Sequence, residues 1–536
     1  MTEGLQTTLD FLAETENEAA TLVLIPAMDS RFPAIRYGAL AAILARESPP
    51  GHRKVIARLH TIDLEQRRLI EGNHRRMAAA LRDAIVDSDQ QTCANGCQAA
   101  VWFCQYDLVP TLLNALEDAD GTRAETLGRA LTDLVDELCR ETRASRQPGK
   151  RRDPEWVRQQ VVGALELSVL RYGKHRRREV VEALVLLADR DNNTIRLVLE
   201  DPLHPAFVAL VDVLSKSPRT PVLRLVLSYL EDARAPSAAL SIAGRRCDPE
   251  FVKHFLRKIG TDPSPAVAQN LKRIESVGWA HASAALLDRL DEASQEAAVR
   301  LMTLCGTSRA NAFVVVGHLL LHGKPAARCA AAEALERFRG AEANALALEA
   351  LDDDDPEVQA RVVGQLRGRG IPGVLARVVA MLDSPHAVVR RAARRSLAEF
   401  TFPRFLASFD LLDDEVRLST GELVKKVDPH TLPLLQAELA SPVRVRRLRA
   451  LAIARSLDLV AEVEASIARL LADEHHLVRA EAAAALAACT SMASQDALRA
   501  ATSDRSPIVQ EAARKSLAER AQGAVPAPPP GPAQKE

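Results

Sequence analysis

Aromatic residues are scarce in this chain: they make up 4% of 536 positions, with only three tryptophans, Trp102, Trp156 and Trp279. Large side chains that fill wide gaps are therefore few, and alanine is plentiful. Small residues let helices approach closely, which points to stacked helices and away from a β-sandwich. Glycine, at 24 residues, is too sparse for a β-rich chain of this length. An excess of either charge is also missing. Lys and Arg number 70 against 71 Asp and Glu, for a net charge of −1. No global basic field draws the chain to nucleic acid or to an acidic membrane, so any such binding must come from a local patch. No apolar run approaches the roughly 18 residues of a membrane span. The N-terminus, MTEGLQTTLDFLAETENEAA, is acidic and lacks the apolar core of a secretory signal. A cytoplasmic protein without membrane insertion is the expectation. The eight cysteines are scattered and mostly lie in apolar stretches, so no disulfide framework is expected. A nucleophile elbow, a P-loop and an HExxH motif are all missing.

What is present is a core's worth of hydrophobic residues, 47% of the chain, arranged in a repeat. DDDPEVQARVVGQL from Asp353, DSPHAVVRRAARRSLAEF from Asp383, DEHHLVRAEAAAALAAC from Asp473 and DRSPIVQEAARKSLAER from Asp504 share one grammar. DSRFPAIRYGALAAIL from Asp29 follows it too. Each has an acid, a turn, a β-branched residue followed by Arg or Gln, and an alanine-rich amphipathic run. Taking the residue before the Arg or Gln as an anchor gives Val299, Ala327, Val358, Val389, Val416, Val445, Val478 and Val509, and Val267, followed by alanine, keeps the register; the nine are spaced 27 to 33 residues apart. Weaker anchors continue back to Ile35. A recurrence near 30 residues is the period of a helical repeat. Inside each unit the apolar residues fall 4, 8 and 11 positions after the anchor, as in Val389, Ala393, Leu397 and Phe400, which is one face of a helix. Ser264-Pro265, Ser384-Pro385, Ser441-Pro442 and Ser506-Pro507 read as N-cap serines followed by a proline at the first helical position.

A single hairpin of this length cannot bury its apolar stripe, and stacking on copies does so. The pattern resembles HEAT repeats, in particular the short HEAT-like repeats of the phycobilisome-lyase type, D-x-x-P-x-V-R-x-x-A-x-x-A-L, most clearly over residues 260–520 and more loosely over 20–260. The resemblance implies an all-α, right-handed α-solenoid of about sixteen hairpins. It carries no catalytic residue with it. The His-Glu dipeptides that serve as iron ligands in HEAT-type hydroxylases do not occur in this sequence.

The segment GRGIPG at 368–373 has the glycine spacing of a dinucleotide fingerprint. That fingerprint needs a preceding strand, whereas PEVQARVVGQL before it has helical periodicity, so a turn between helices is expected. Arg follows the anchor in 11 of 16 units, including Arg300, Arg328, Arg390, Arg417, Arg446 and Arg479. A cation at a helix start faces the positive end of the dipole, so the turn acids Asp383, Asp414, Asp473 and Asp504 are expected to offset it in a structural ladder.

Residues 143–178 hold 11 Lys or Arg against three acids. Arg151, Arg152, Lys174, Arg176, Arg177 and Arg178 form a candidate basic patch for phosphate or nucleic acid, with Trp156 and Tyr172 placed to stack on bases. A second basic region covers 390–395, Lys425-Lys426 and 444–449, where solvated helix faces are the simpler reading. Cys93, Cys97 and Cys104, and His318 with His322, lack the ligand number and spacing of a metal site. Neither a metal nor a cofactor is expected.

The expected organisation is HEAT-like repeats over 1–142, a basic loop at 143–153 and irregular repeats over 154–260. Regular repeats follow over 261–520, then a disordered Pro-rich tail over 521–536. The 44 residues between anchors Leu223 and Val267 leave room for an extra helix. The function expected is a non-catalytic scaffold that binds one or more proteins. Nucleic-acid binding through 143–178 is the alternative, and a lyase or lyase subunit the third reading.

Overall fold

The computed structural model describes residues 3–46, 48–143, 153–281 and 284–523. Among them lie 34 α-helices and eleven short 3-10 turns, with no strand. The chain divides into two compact units, residues 1–327 and 328–536. Each is an α-solenoid of stacked helical hairpins.

In the first unit the helices alternate between two layers. Gln90–Trp102, Gly121–Arg143 and Arg178–Leu187 pack successively in one layer, and Ala78–Val86, Val109–Asp118 and Pro154–Leu170 in the other. The second unit repeats this arrangement. Arg444–Ser456, His476–Ala485 and Pro507–Gly523 pack in succession, backed by Thr431–Leu439, Glu464–Leu470 and Met492–Ala501. Burial follows the predicted stripe: Val389, Ala393 and Leu397 are fully buried, as are Val478, Ala482 and Leu486.

Two helices, Ser237–Arg245 and Pro249–Ile259, occupy the long interval between Leu223 and Val267. GRGIPG is a turn. The helix Pro356–Leu366 ends in a 3-10 turn over Arg367–Arg369, and the next helix begins at Val374, two residues later than Pro372. Gly370 and Gly373 adopt φ of +66° and +72°, a region that glycine enters without a Cβ clash.

The serine caps need correction in two repeats. Ser264 does cap its helix, accepting from the Val267 N–H. Ser384 and Ser441 sit earlier, and their helices begin at Ala387 and Arg444. Both serines instead take the place that aspartate holds in neighbouring repeats, where the side chain bonds the N–H two residues on. Ser384 accepts from His386 N at 3.3 Å and Ser441 from Val443 N at 3.2 Å. Asp473 and Asp504 make the same bond to His475 N and Ser506 N at 2.9 and 2.8 Å. The last helix runs to Gly523, past the expected tail boundary at 521, and residues 524–536 lie outside the described residues.

Candidate functional site

The anchor arginines have a double role that spacing alone did not specify. The residue six positions after the turn Asp or Ser folds back and donates to that residue's own carbonyl. Arg36 bonds Ser30 O at 3.1 Å and Gln359 bonds Asp353 O at 2.7 Å. Arg390 bonds Ser384 O at 2.8 Å, and Arg447 bonds Ser441 O at 2.9 Å. Arg479 bonds Asp473 O at 2.9 Å, and Gln510 bonds Asp504 O at 2.6 Å. These carbonyls lie just past the C-terminal end of the preceding helix, where the dipole favours a cation. The apparent conflict of an arginine at a helix start is thereby resolved.

In some repeats the same guanidinium also reaches the turn aspartate of the next repeat. Arg479 forms a two-pronged pair with Asp504, Nε to Oδ2 at 2.8 Å and Nη2 to Oδ1 at 2.9 Å. Arg447 meets Asp473 at 2.8 Å with both side chains under a tenth exposed, and Arg328 meets Asp353 at 3.0 Å. The hydrogen bonds from Arg479 hold the Asp504 carboxyl below its ordinary range.

In one repeat the arginine that makes this pair lies one residue beyond the one expected. Arg446 is half exposed and pairs with Glu438, while Arg447 fills the buried position. The Val445-Arg446 pair imitates the anchor, yet Val445 is 54% exposed where Val478 and Val509 are fully buried. Arg390 bonds only turn carbonyls, Ser384 O and Pro385 O. Arg417 pairs with Asp414 of its own helix and bonds Phe409 O, and Arg300 bonds Thr261 O.

The described basic residues of 143–178 lie at two ends of one helix. Gly121–Arg143 has 23 residues, and Pro154–Leu170 runs back beside it with 17, about 25 Å long. Lys174, Arg176, Arg177 and Arg178 lie at the far end of Pro154–Leu170 from its start at Pro154. There Arg177 turns away from solvent, bonding Leu116 O at 3.1 Å, Ala119 O and Asp120. Arg178 pairs with Asp212 at 2.7 Å. Lys174 and Arg176 are exposed. Arg151 and Arg152 lie outside the described residues. Nor do the aromatics form a platform: Trp156 is half exposed at the start of its helix, while Tyr172 is buried beyond the other end and packs edge-on against His175.

At the Arg143 end the structure holds a cleft of about 480 Å³ that the sequence did not reveal. Its cations are Arg143, Arg158, Arg190 and Arg224, contributed by residues more than 80 apart in sequence. Arg158 is fully engaged with Glu155, by three bonds of 2.7–3.1 Å. Arg190 lies 3.9 Å from Asp191 and 3.7 Å from Glu231. Arg143 and Arg224 are exposed and make no ion pair or hydrogen bond among the described residues. Cys139 forms part of the lining, its thiol donating to Leu186 O at 3.3 Å and pushed up by burial. A second cleft, of about 580 Å³, is largely apolar and includes Cys97 and Trp102, whose indole N–H donates to Glu71.

The weak metal candidates have local partners. Cys93 donates to Ile85 O, and His318 sits 2.8 Å from Asp288. Among the described residues no group of three His, Cys, Asp or Glu side chains is placed to hold a metal ion, and no helix is long and apolar enough to cross a membrane.

A family model described as HEAT repeats matches residues 314–398 and 344–418. No curated protein matches the sequence. Among solved structures, one from work on a phosphorylation switch between cadherin and β-catenin is 13% identical, covering 94% of this chain and 99% of that one, at a TM-score of 0.30. The karyopherin Kap121p bound to the extreme C-terminus of the phosphatase Cdc14p is also 13% identical, covering 97% and 70%, at 0.19. An engineered protein is 14% identical, covering 94% and 98%, at 0.17. At these TM-scores none of the three bears on function. The narrower likeness to phycobilisome-lyase repeats is not part of what the family match gives. The match identifies residues 314–418 as HEAT repeats, within a chain whose two units are each α-solenoids of stacked hairpins.

Proposed function

We propose that this protein is a non-catalytic, cytoplasmic scaffold that works without a cofactor and binds another protein through the helix starts of residues 441–510. One observation carries this reading. Val445, Leu477 and Ile508 occupy the same place in three successive repeats, four residues after the turn residue, and are 54%, 41% and 53% exposed. Packed helices lie about 8–10 Å apart, so these side chains make a regular row of aliphatic groups along one edge. Most arginines beside them are spent internally, on carbonyls and aspartates, which leaves the apolar groups as the surface available for recognition. Nucleic-acid binding has less support, because among the described cations of 143–178 Arg177 and Arg178 are already paired with Asp120 and Asp212.

The test is affinity capture from the native host with the wild type and with Val445→Ser/Leu477→Ser/Ile508→Ser, with and without nuclease. A protein partner that survives nuclease and is lost by the triple variant supports the reading. Capture that depends on nucleic acid, or that the triple variant leaves intact, overturns it.

A further inference from the structure

The cleft between the end of helix Gly121–Arg143 and helix Thr220–Ser228 is lined by four arginines and three acids. Its acids already have partners: Glu155 is saturated by Arg158, Asp189 accepts from Asp191 N at 3.1 Å, and Asp191 lies beside Arg190. Arg143 and Arg224 stand on separate walls without a partner among the described residues. Both line the same cleft as the buried Cys139.

The character of an anion it would take follows from the lining. Two guanidinium forks offer two positive charges and planar pairs of N–H donors, the geometry that oxyanions of phosphorus accept. A carboxylate carries one charge and occupies one fork. A phosphoserine carries about −1.5 to −2 near neutral pH and presents three acceptor oxygens. Among the described residues no aromatic ring lines the cleft, so they offer no stacking surface for a base. The cations at Lys174 and Arg176 are a helix length away and do not extend it into a track for a nucleic-acid backbone.

We propose that this cleft receives a phosphoryl group carried on a partner polypeptide, with Arg143 and Arg224 as its two donors. The proposal rests on the protein-binding reading above and adds the chemistry of one contact.

The full-length chain is titrated calorimetrically at low salt with a short Gly-rich peptide containing one phosphoserine, with its serine counterpart, and with inorganic phosphate. The phosphoserine peptide should bind at least ~10-fold tighter than the serine peptide, as expected for charge-assisted paired contacts. Arg143→Ala/Arg224→Ala should remove that preference. Lys174→Ala/Arg176→Ala, at the opposite end of the helix, should leave it within about twofold, because distant exposed charges are screened. Thermal melts of both variants establish that they are folded. Equal affinity for the two peptides overturns the proposal, as does equal loss in the two variants. Binding of a single-stranded RNA that needs Arg143 and Arg224, with no phosphopeptide binding, overturns it in favour of a nucleic-acid site. If the peptides fail while the row variant at Val445, Leu477 and Ile508 still loses its partner, the phosphoryl site is wrong and the scaffold reading stands.

Discussion

Arg479 and Arg224 each directly follow an anchor residue in the sequence, and the folded chain uses them in opposite ways. Arg479 is 4% exposed at its side chain and holds two carbonyls and a carboxylate. Arg224 is exposed at the rim of a cleft and holds nothing among the described residues. The difference lies in register. Arg479 is the sixth residue after its turn residue Asp473 and reaches both that turn's carbonyl and Asp504. Ser217 accepts from Arg219 N, which makes Leu223 the sixth residue there and Arg224 the seventh. An anchor read from the sequence does not by itself say whether the arginine after it is structural or available, as Arg446 also shows.

The sharpest way to break this contrast is Arg479→Ala. It strands the Asp504 carboxylate, of which 14% is exposed, and opens the Asp473 carbonyl, so it should cost about 3–5 kcal/mol, the range for removing one partner of a buried pair. Replacing both partners with apolar residues, Arg479→Met/Asp504→Leu, should recover most of that loss in a denaturant titration. A loss from Arg479→Ala no larger than that of an exposed arginine would place Arg479 with Arg224.

Neighbouring residues give the next test. Arg447→Ala should be destabilising by about 3 kcal/mol or more, whereas Arg446→Ala, at an exposed pair, should cost under ~1 kcal/mol. The reverse order would restore the register read from the sequence.

Acid provides a third test. Asp504 has its carboxyl lowered by Arg479, so its contribution to stability is present above the carboxyl's ordinary value of 3.8 and is lost as pH falls through the lower folded value. The stability gap between wild type and Asp504→Asn should be constant at neutral pH and close only below about pH 4. A gap that closes between pH 6 and 8 would point to a different group.

The smallest effect is expected at the cleft. Arg143→Ala/Arg224→Ala should shift unfolding by no more than ~0.5 kcal/mol, because neither side chain has a partner to lose. A larger loss would mean that these arginines are structural after all, and would narrow the contrast with Arg479.

Much of the fold was legible because one repeat writes the same instruction many times. Val389, Ala393 and Leu397 declare a buried face, and Val478, Ala482 and Leu486 repeat it. The misreadings came where chemistry substitutes for identity. Ser384 and Ser441 do the work of aspartate through a hydroxyl, so a Ser-Pro pair passed for a helix cap. Val445 resembled an anchor because a β-branched residue before arginine satisfies the pattern whichever face it lies on. The cleft left no local signature at all. Arg143, Arg158, Arg190 and Arg224 come from separate turns and helices, and only stacking brings them to one edge.

The turn pairing also bears on which repeats can be exchanged. The bond from the sixth residue back to the turn carbonyl begins and ends in one repeat, so it would travel with that repeat into any position. The pairing with the next turn does not travel. Arg479 and Arg447 each precede a repeat that opens with aspartate, whereas Gln359 precedes one that opens with Ser384. Arg479 and Arg447 pair with those acids, whereas Gln359 and Arg390 bond carbonyls of their own turns. Moving the repeat that opens at Ser384 to follow Arg479 would leave that guanidinium buried with no carboxylate, while moving it to follow another glutamine repeat would not. A recombined array should therefore fold where a buried arginine of this kind still meets an aspartate and fail where it does not.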